Sequence, residues 1–209
     1  MNEPERITVD VVVIGAGLVG TSLVVGLQQA GLQVAVLEKH LPTIIEPGDT
    51  DHRPISLAYG SVQCLQRWGV WSALAPQAKP IEQLHVSEQG RLGRVVFSAK
   101  DYQLPALAYV VPFTLLQQQL YQQARAQAET QFIAIDDIHH IECHETGVTI
   151  DYSAADKPMQ LKAQLLIAAD GTNSRCRQLL KIDADQKDAG DRALIIKLSA
   201  DTASHHQAY

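Results

Sequence analysis

The β-branched stretch Val9 to Ile14, interrupted by Asp10 alone, runs straight into Gly15-Ala16-Gly17-Leu18-Val19-Gly20, and this junction constrains the fold more than any other part of the chain. The stretch has the character of a buried parallel strand. Leu18 to Ala30 reads as a helix ended by Gly31 at its C′ position. Gln33 to Leu37 is a second apolar strand, which completes a βαβ unit of about thirty residues. Each glycine has a mechanical reason. Gly15 permits a tight turn, Gly17 lets a pyrophosphate approach the backbone, and Gly20 lets the helix pack closely on the sheet. Ala16 and Leu18 complete the loop. The helix start supplies unpaired N–H groups and the positive end of a dipole. Glu38, ending the second strand, can accept hydrogen bonds from a ribose diol. The competing reading is a glycine-rich turn without a ligand.

Composition narrows the class. With 209 residues, 46% of them hydrophobic and 19% charged, the chain can build a core and is not a disordered segment. A net charge of −6 without any Lys/Arg block argues against a nucleic-acid surface. Three scattered cysteines, Cys64, Cys143 and Cys176, form neither a CxxC pair nor a disulfide framework, which fits a reducing compartment. Val11 to Leu27 carries no charge, but glycines interrupt it and no positive segment precedes it, so it does not read as a signal peptide or a membrane span. The expected location is cytoplasmic, with room for peripheral contact at the inner membrane.

Further along, Leu41 to Ile55 reads as a loop and Gly60 to Leu74 as one helix despite Gly69. Ile81 to Ser87 and Val95 to Ser98 read as antiparallel strands joined through Gln89-Gly90. Thr114 to Ala128 is a helix with Leu116, Leu120 and Ala124 on one face. Gln131 to Ile135, Ile138 to Cys143 and Val148 to Tyr152 are strands, the last two hinged near Gly147. Leu165 to Ala169 is a buried strand followed by Asp170-Gly171 and a short helix, Ser174 to Leu180. Ala193 to Ala200 begins a further strand. The expected fold is α/β: a Rossmann-like domain with a parallel sheet, interrupted by antiparallel strands of an incomplete substrate domain. Residues 1–79 and 109–190 would form the first domain, and residues 80–108 and 191–209 part of the second.

The glycine motif does not by itself separate FAD from NAD. Arg53, within Asp51-His52-Arg53-Pro54, lies where a cation could reach a diphosphate. Asp170, where an apolar strand meets a helix, is expected to face the ligand crevice at the carboxyl edge of the sheet. Arg175, on that helix, is expected to face solvent. The glycine motif, Glu38, the Asp51/Arg53 segment and the Asp170-Gly171 to Arg177 segment resemble the para-hydroxybenzoate-hydroxylase-like FAD-dependent monooxygenases. Ser56-Leu57-Ala58-Tyr59-Gly60-Ser61, Leu65 to Trp71, Pro80-Ile81, Val86-Ser87 and Tyr109-Val110-Val111-Pro112 are similar to the ubiquinone-biosynthesis hydroxylases within that family.

The resemblance implies FAD held by Gly15, Ala16, Gly17, Leu18, Gly20 and Glu38. It implies that Arg53 reaches the FAD or a passing nicotinamide, and that Asp170 and Gly171 serve both FAD and NAD(P)H. It also implies NAD(P)H as co-substrate, O₂ as the oxygen source, a polyprenylated phenol as substrate, and other ubiquinone-biosynthesis proteins as partners. Phe113 departs from the family pattern, standing where relatives often carry a polar residue. Relatives are about twice as long, and their next FAD motif, a Gly-Asp segment, is expected beyond Tyr209. Residues 1–209 alone are therefore expected to bind FAD weakly and to hydroxylate nothing. A non-catalytic FAD-binding remnant and a flavin-dependent lipid reductase stay open as alternatives. No catalytic residue can be named. His139, His140, Cys143 and His144 suggest zinc only on a helix, and their surroundings read as strand. Trp68 and Trp71, three apart on the expected helix, read as core packing.

Overall fold

The computed structural model describes residues 5–42, 53–88, 90, 92–188, 190, 192, 194 and 206–208. The elements run β1 (Glu5–Ile14), α1 (Leu18–Gly26), β2 (Val34–Glu38), β3 (Pro54–Ala58), α2 (Tyr59–Arg67), α3 (Trp71–Leu74), β4 (Lys79–Ile81), β5 (Gln83–Val86) and β6 (Val95–Ser98). They continue with β7 (Ala108–Pro112), α4 (Phe113–Arg125), β8 (Thr130–Ala134), β9 (Asp137–His144), β10 (Gly147–Ala154), β11 (Lys157–Ala168), α5 (Arg175–Leu179) and β12 (Gln207–Ala208). Two short 3₁₀ turns, Ala75–Gln77 and Ala99–Tyr102, complete the set.

The principal sheet has the order β8-β2-β1-β11-β10-β9. β8, β2, β1 and β11 are parallel, and β10 and β9 extend the sheet antiparallel. β1 is central and serves two cores, which is why its run is apolar on both faces. Val11 and Val13 pack with Val34 and Val36 against Val24 and Val25 of α1 and Leu116 and Leu120 of α4. Val12 and Ile14 pack with Ala35 and Leu37 against Ile138, Ile141, Ile150 and Tyr152 of β9 and β10. The parallel strands thus lie between a helical layer and an antiparallel layer. Val12, Val13, Val36 and Leu37 are wholly buried, each contributing on the order of 1.5–3 kcal/mol, which offsets the ordering cost of the strands.

β8 and β9 sit at opposite ends of the sheet order, yet only Ile135 and Asp136 join them. Two residues cannot cross six strands at nearly 5 Å spacing, so the sheet curls until its ends approach one another. Ile135 N–H donates to the Glu38 carbonyl at 3.0 Å and Asp136 N–H to the Ser153 carbonyl at 2.8 Å, fixing the closure. Two three-stranded sheets flank this body, β3-β7-β4 and β12-β5-β6.

Several expectations are corrected. The helix expected over Leu18 to Ala30 ends at Gly26. Its hydrogen bonds tighten to i→i−3 at Leu27 and Gln28, and Gly31 follows a separate turn instead of capping the helix. The single helix expected over Gly60 to Leu74 is two helices. Gly69, at φ +76°, closes α2 in a Schellman arrangement, with Val70 N–H on Leu65 O and Gly69 N–H on Gln66 O. Trp68 and Trp71 therefore lie on either side of a break, though both pack on the core. Pro54 and Ile55 belong to a strand, not a loop; β3 and β7 pair from Pro54↔Pro112 to Ala58↔Ala108, and a proline at one end of each masked both strands. Ile81 to Ser87 is not one strand. β4 and β5 part at Glu82 and enter different sheets. The uncharged stretch Val11 to Leu27 is divided between β1 and α1. The strand expected over Ala193 to Ala200 lies outside the described residues, except Leu194. Among the described residues, no helix is long and apolar enough to cross a membrane.

Candidate functional site

β1 ends at the carboxyl edge of the sheet, between β2 and β11, and the glycine loop begins there. Chain order reverses around β1, and such points open crevices in α/β sheets. Gly15 N–H donates to Leu37 O at 2.9 Å. Gly15 has φ +105°, and a Cβ on it would stand 2.5 Å from the Ala169 carbonyl oxygen. A Cβ on Gly20 would stand 2.0 Å from the Gly15 carbonyl oxygen, so the helix rests directly on the loop. Gly17 differs: a Cβ there meets nothing within 4 Å, and φ is −71°. Its missing side chain leaves open space over the loop.

Gly17 is the N-cap of α1, and no side chain caps it. The first turn holds no acidic residue, and Thr21 N–H makes the bond to Gly17 O at 3.0 Å. The N–H groups at the start of α1 are thus directed at the open space, with the positive end of the helix dipole behind them. A phosphate is the acceptor that fits this geometry and charge.

Glu38 stands beside the loop. Its Oε2 accepts from Ala16 N–H at 2.7 Å, and its Oε1 accepts from His40 N–H at 2.9 Å. An ionised carboxylate has about four acceptor sites, so two backbone bonds leave capacity for sugar hydroxyls. A cleft of about 370 Å³ opens here. Ile14, Leu37, Ile135 and Ile138 form its apolar floor, and Gly15, Glu38, Lys39, His40, Asp170, Asn173 and Arg175 complete the wall.

Asp170 lines the cleft half-buried, with both carboxylate oxygens engaged by its own turn. Its Oδ1 accepts from the Ser174 hydroxyl at 2.7 Å, and its Oδ2 accepts from Cys176 N–H at 3.0 Å. Ser174 in turn accepts from Arg177 N–H at 3.0 Å as the N-cap of α5. Burial pushes the Asp170 carboxyl up. The Cys176 N–H, the Ser174 hydroxyl and the N–H groups of its own turn outweigh that and hold it below the ordinary carboxylate range. Burial, aided by the Asp170 charge, pushes the Cys176 thiol up to about 12, so it is an inert packing group.

The structure brings Gly15, Glu38 and Asp170 to one cleft, with Ala16 bonded to Glu38 and Gly17, Leu18 and Gly20 at the adjoining helix start. Gly171 is exposed at φ +78° on the turn after Asp170. Arg53 is not among the cleft residues: it directly precedes β3, its guanidinium 5.2 Å from the Phe113 ring centroid, and its carbonyl accepts from Phe113 N–H. Asp51 and His52 lie outside the described residues. Arg175, expected to face solvent, is only partly exposed and lines the cleft; its Nε donates to Ile138 O at 3.2 Å. Ile135 and Ile138 were not legible as cleft residues, because the curl of the sheet delivers them; Lys39 and Asn173 enter the cleft beside Glu38 and Gly171 and carried no signal of their own. His139, His140, Cys143 and His144 lie exposed on β9, the strand that their surroundings suggested.

The family model for the FAD binding domain matches residues 8–207. The chain belongs to the FAD binding domain family. Among curated relatives of this FAD binding domain chain, 3-demethoxyubiquinol 3-hydroxylase of Escherichia coli (strain K12) is 31% identical over 183 residues, covering 87% of this chain and 45% of that protein. Ubiquinone hydroxylase UbiM of Neisseria meningitidis is 25% identical over 221 residues, covering 96% and 44%. The chain therefore spans less than half the length of these relatives. Among solved structures, p-nitrophenol 4-monooxygenase PnpA from Pseudomonas putida DLL-E4 has the same fold, with a TM-score of 0.67 at 20% identity over 84% of this chain and 44% of that one.

Proposed function

We propose that this FAD binding domain serves an FAD-dependent monooxygenase that hydroxylates the aromatic ring of a polyprenylated phenol in ubiquinone biosynthesis, with NAD(P)H as reductant and O₂ as oxygen source. The observation that carries the reading is the uncapped start of α1, open over Gly17 and flanked by Glu38. The N–H groups of the glycine loop would hold the FAD pyrophosphate, and Glu38 would take the ribose hydroxyls. The apolar floor of Ile14, Leu37, Ile135 and Ile138 suits a flat adenine ring. Bound there, FAD supplies the redox chemistry, and the chain orients it. Asp170 would act by holding the α5 turn at the cleft wall. Arg53, away from the adenosine end, would meet FAD or a nicotinamide farther along.

The names of the curated relatives support the substrate class. Segments such as Tyr109-Val110-Val111-Pro112 resemble the ubiquinone-biosynthesis hydroxylases, 2-octaprenyl-6-methoxyphenol hydroxylase among them. Residues 1–79 and 109–190 would be the FAD domain, and residues 80–108 and 191–209 would contribute to a substrate domain. β12 pairing with β5 joins those two segments in one sheet. A peripheral membrane position, where a prenylated substrate partitions, goes with the reading. β5 and β6 expose Val86, Val95, Val96 and Phe97. The test is turnover by the full-length protein: NAD(P)H oxidation, O₂ uptake and a product heavier by one oxygen, measured with prenylated phenols. A flavin-loaded protein that reduces a lipid double bond without consuming O₂ would overturn it.

A further inference from the structure

The curl that builds the cleft also places an acid behind two of its cations. Lys39 follows Glu38 at the end of β2, Asp137 opens β9, and Arg175 opens α5. Lys39 Nζ donates to Asp137 Oδ1 at 2.8 Å, and Arg175 Nη2 lies 3.6 Å from Asp137 Oδ2. Lys39 and Arg175 line the cleft, whereas Asp137 does not. One carboxylate therefore ties together a cation from each of two walls. Arg175 is held further by its bond to Ile138 O. All three side chains keep between a third and a half of their surface exposed, so these pairs contribute little to stability. Their consequence is local: they decide where two positive charges point. The Lys39 hydrogen bond holds the Asp137 carboxyl below its ordinary range, so that carboxyl is charged at neutral pH.

We propose that Asp137 is a positioning and specificity residue of the nucleotide cleft, holding Lys39 and Arg175 in place so that the cleft takes an adenosine whose ribose carries no phosphate. The inference rests on the reading of this cleft as the adenosine end of a dinucleotide site. Glu38 and Asp170 share the cleft lining with Lys39 and Arg175, and the ion pairs of those two cations go to Asp137 behind the wall. A second anion on the ribose meets Glu38 with both cations already engaged. Removing the Asp137 charge leaves Lys39 and Arg175 unpaired beside that position, where either can form a charge-assisted bond to phosphate.

The experiment compares AMP with adenosine 2′,5′-bisphosphate, which differ only in the ribose phosphate. The full chain, freed of flavin, is titrated with each by calorimetry, and FAD rebinding reports an intact site. Wild type is expected to prefer AMP. In Asp137→Asn the bisphosphate gains about tenfold relative to AMP, as one new charged hydrogen bond would give. Asp137→Glu retains the wild-type ratio, and adding Lys39→Gln to Asp137→Asn reverses most of the gain. A purely structural role would weaken both ligands in parallel and leave the ratio unmoved, which overturns the proposal while AMP and FAD still bind wild type. If wild type binds neither AMP nor FAD, the nucleotide reading falls and this proposal falls with it.

Discussion

Two strand-to-helix turns lie side by side at the carboxyl edge of the sheet, one after β1 and one after β11. Both contain a glycine with positive φ, Gly15 and Gly171, and both launch a helix. They differ in what satisfies that helix. α5 has five residues, and its start is closed by the Ser174 and Asp170 side chains. α1 has nine, and no side chain closes its start. A self-capped helix needs nothing from outside, whereas an uncapped one facing open space asks for an acceptor. On the proposed reading, the first turn would be the binding element and the second a wall that shapes the cleft.

The largest effects should separate two glycines within the first turn. Gly17→Val adds its Cβ to open space at the N-cap of α1, so it should cost at most about 1 kcal/mol of stability, the penalty of a poor N-cap, while FAD affinity falls about a hundredfold or more, through lost pyrophosphate bonds. Gly20→Ala drives a Cβ toward the Gly15 carbonyl, and that overpacking should cost about 1–3 kcal/mol of stability by denaturant titration. Equal loss of stability in both variants would erase the distinction between a ligand space and a packing contact.

Next in size is Glu38→Ala. Its carboxylate supports the loop through Ala16 and His40 as well as offering acceptors to a ribose. FAD affinity should fall by about one to two decades, the worth of a charged hydrogen bond at about 1.5–3 kcal/mol. Undiminished binding in a flavin titration would remove Glu38 from the site.

Asp170→Ala should have the smallest effect on binding and act on stability instead, by about 0.5–2 kcal/mol as a lost helix cap. The folded carboxyl lies below its ordinary range, so its contribution is complete above the unfolded value of about 3.9 and is lost as pH falls through the lower folded value. Wild type and variant should therefore differ at pH 7 and converge in acid. The variant should also let a maleimide reach Cys176 at pH 8, which wild type, with that thiol buried, resists. A drop in FAD affinity as deep as that of Glu38→Ala would make the second turn a binding element as well.

The parts of the fold that were legible are those whose signal is local. The β1-α1-β2 unit and the β9-β10 hairpin appear in the chain as apolar runs bounded by turn residues. The pairing of β3 with β7 was not legible, because Pro54 and Pro112 sit at their ends and the partners are far apart in sequence. The break at Gly69 was missed because a Schellman close depends on backbone bonds from Val70 and Gly69, which residue spacing does not display. At the candidate site, Gly15, Gly17, Gly20 and Glu38 could be placed from the sequence, since each position is explained relative to one strand and one helix. Asp170 could be placed at the cleft, but not its bonds to Ser174 and Cys176.

By itself, then, the sequence determined that β1 is buried on both faces, that a glycine loop follows it, and that an acid ends the next strand. These depend on residues within about thirty positions of one another, where steric rules and periodicity act directly. Only the tertiary structure decided that β8 and β9, separated by two residues, would close the sheet on itself. That closure gives the cleft Ile135 and Ile138 as floor, and sets Asp137 between Lys39 and Arg175. Contacts of this kind form between segments whose sequences carry no mark of each other, because it is the accumulated curl of a whole sheet that brings them together.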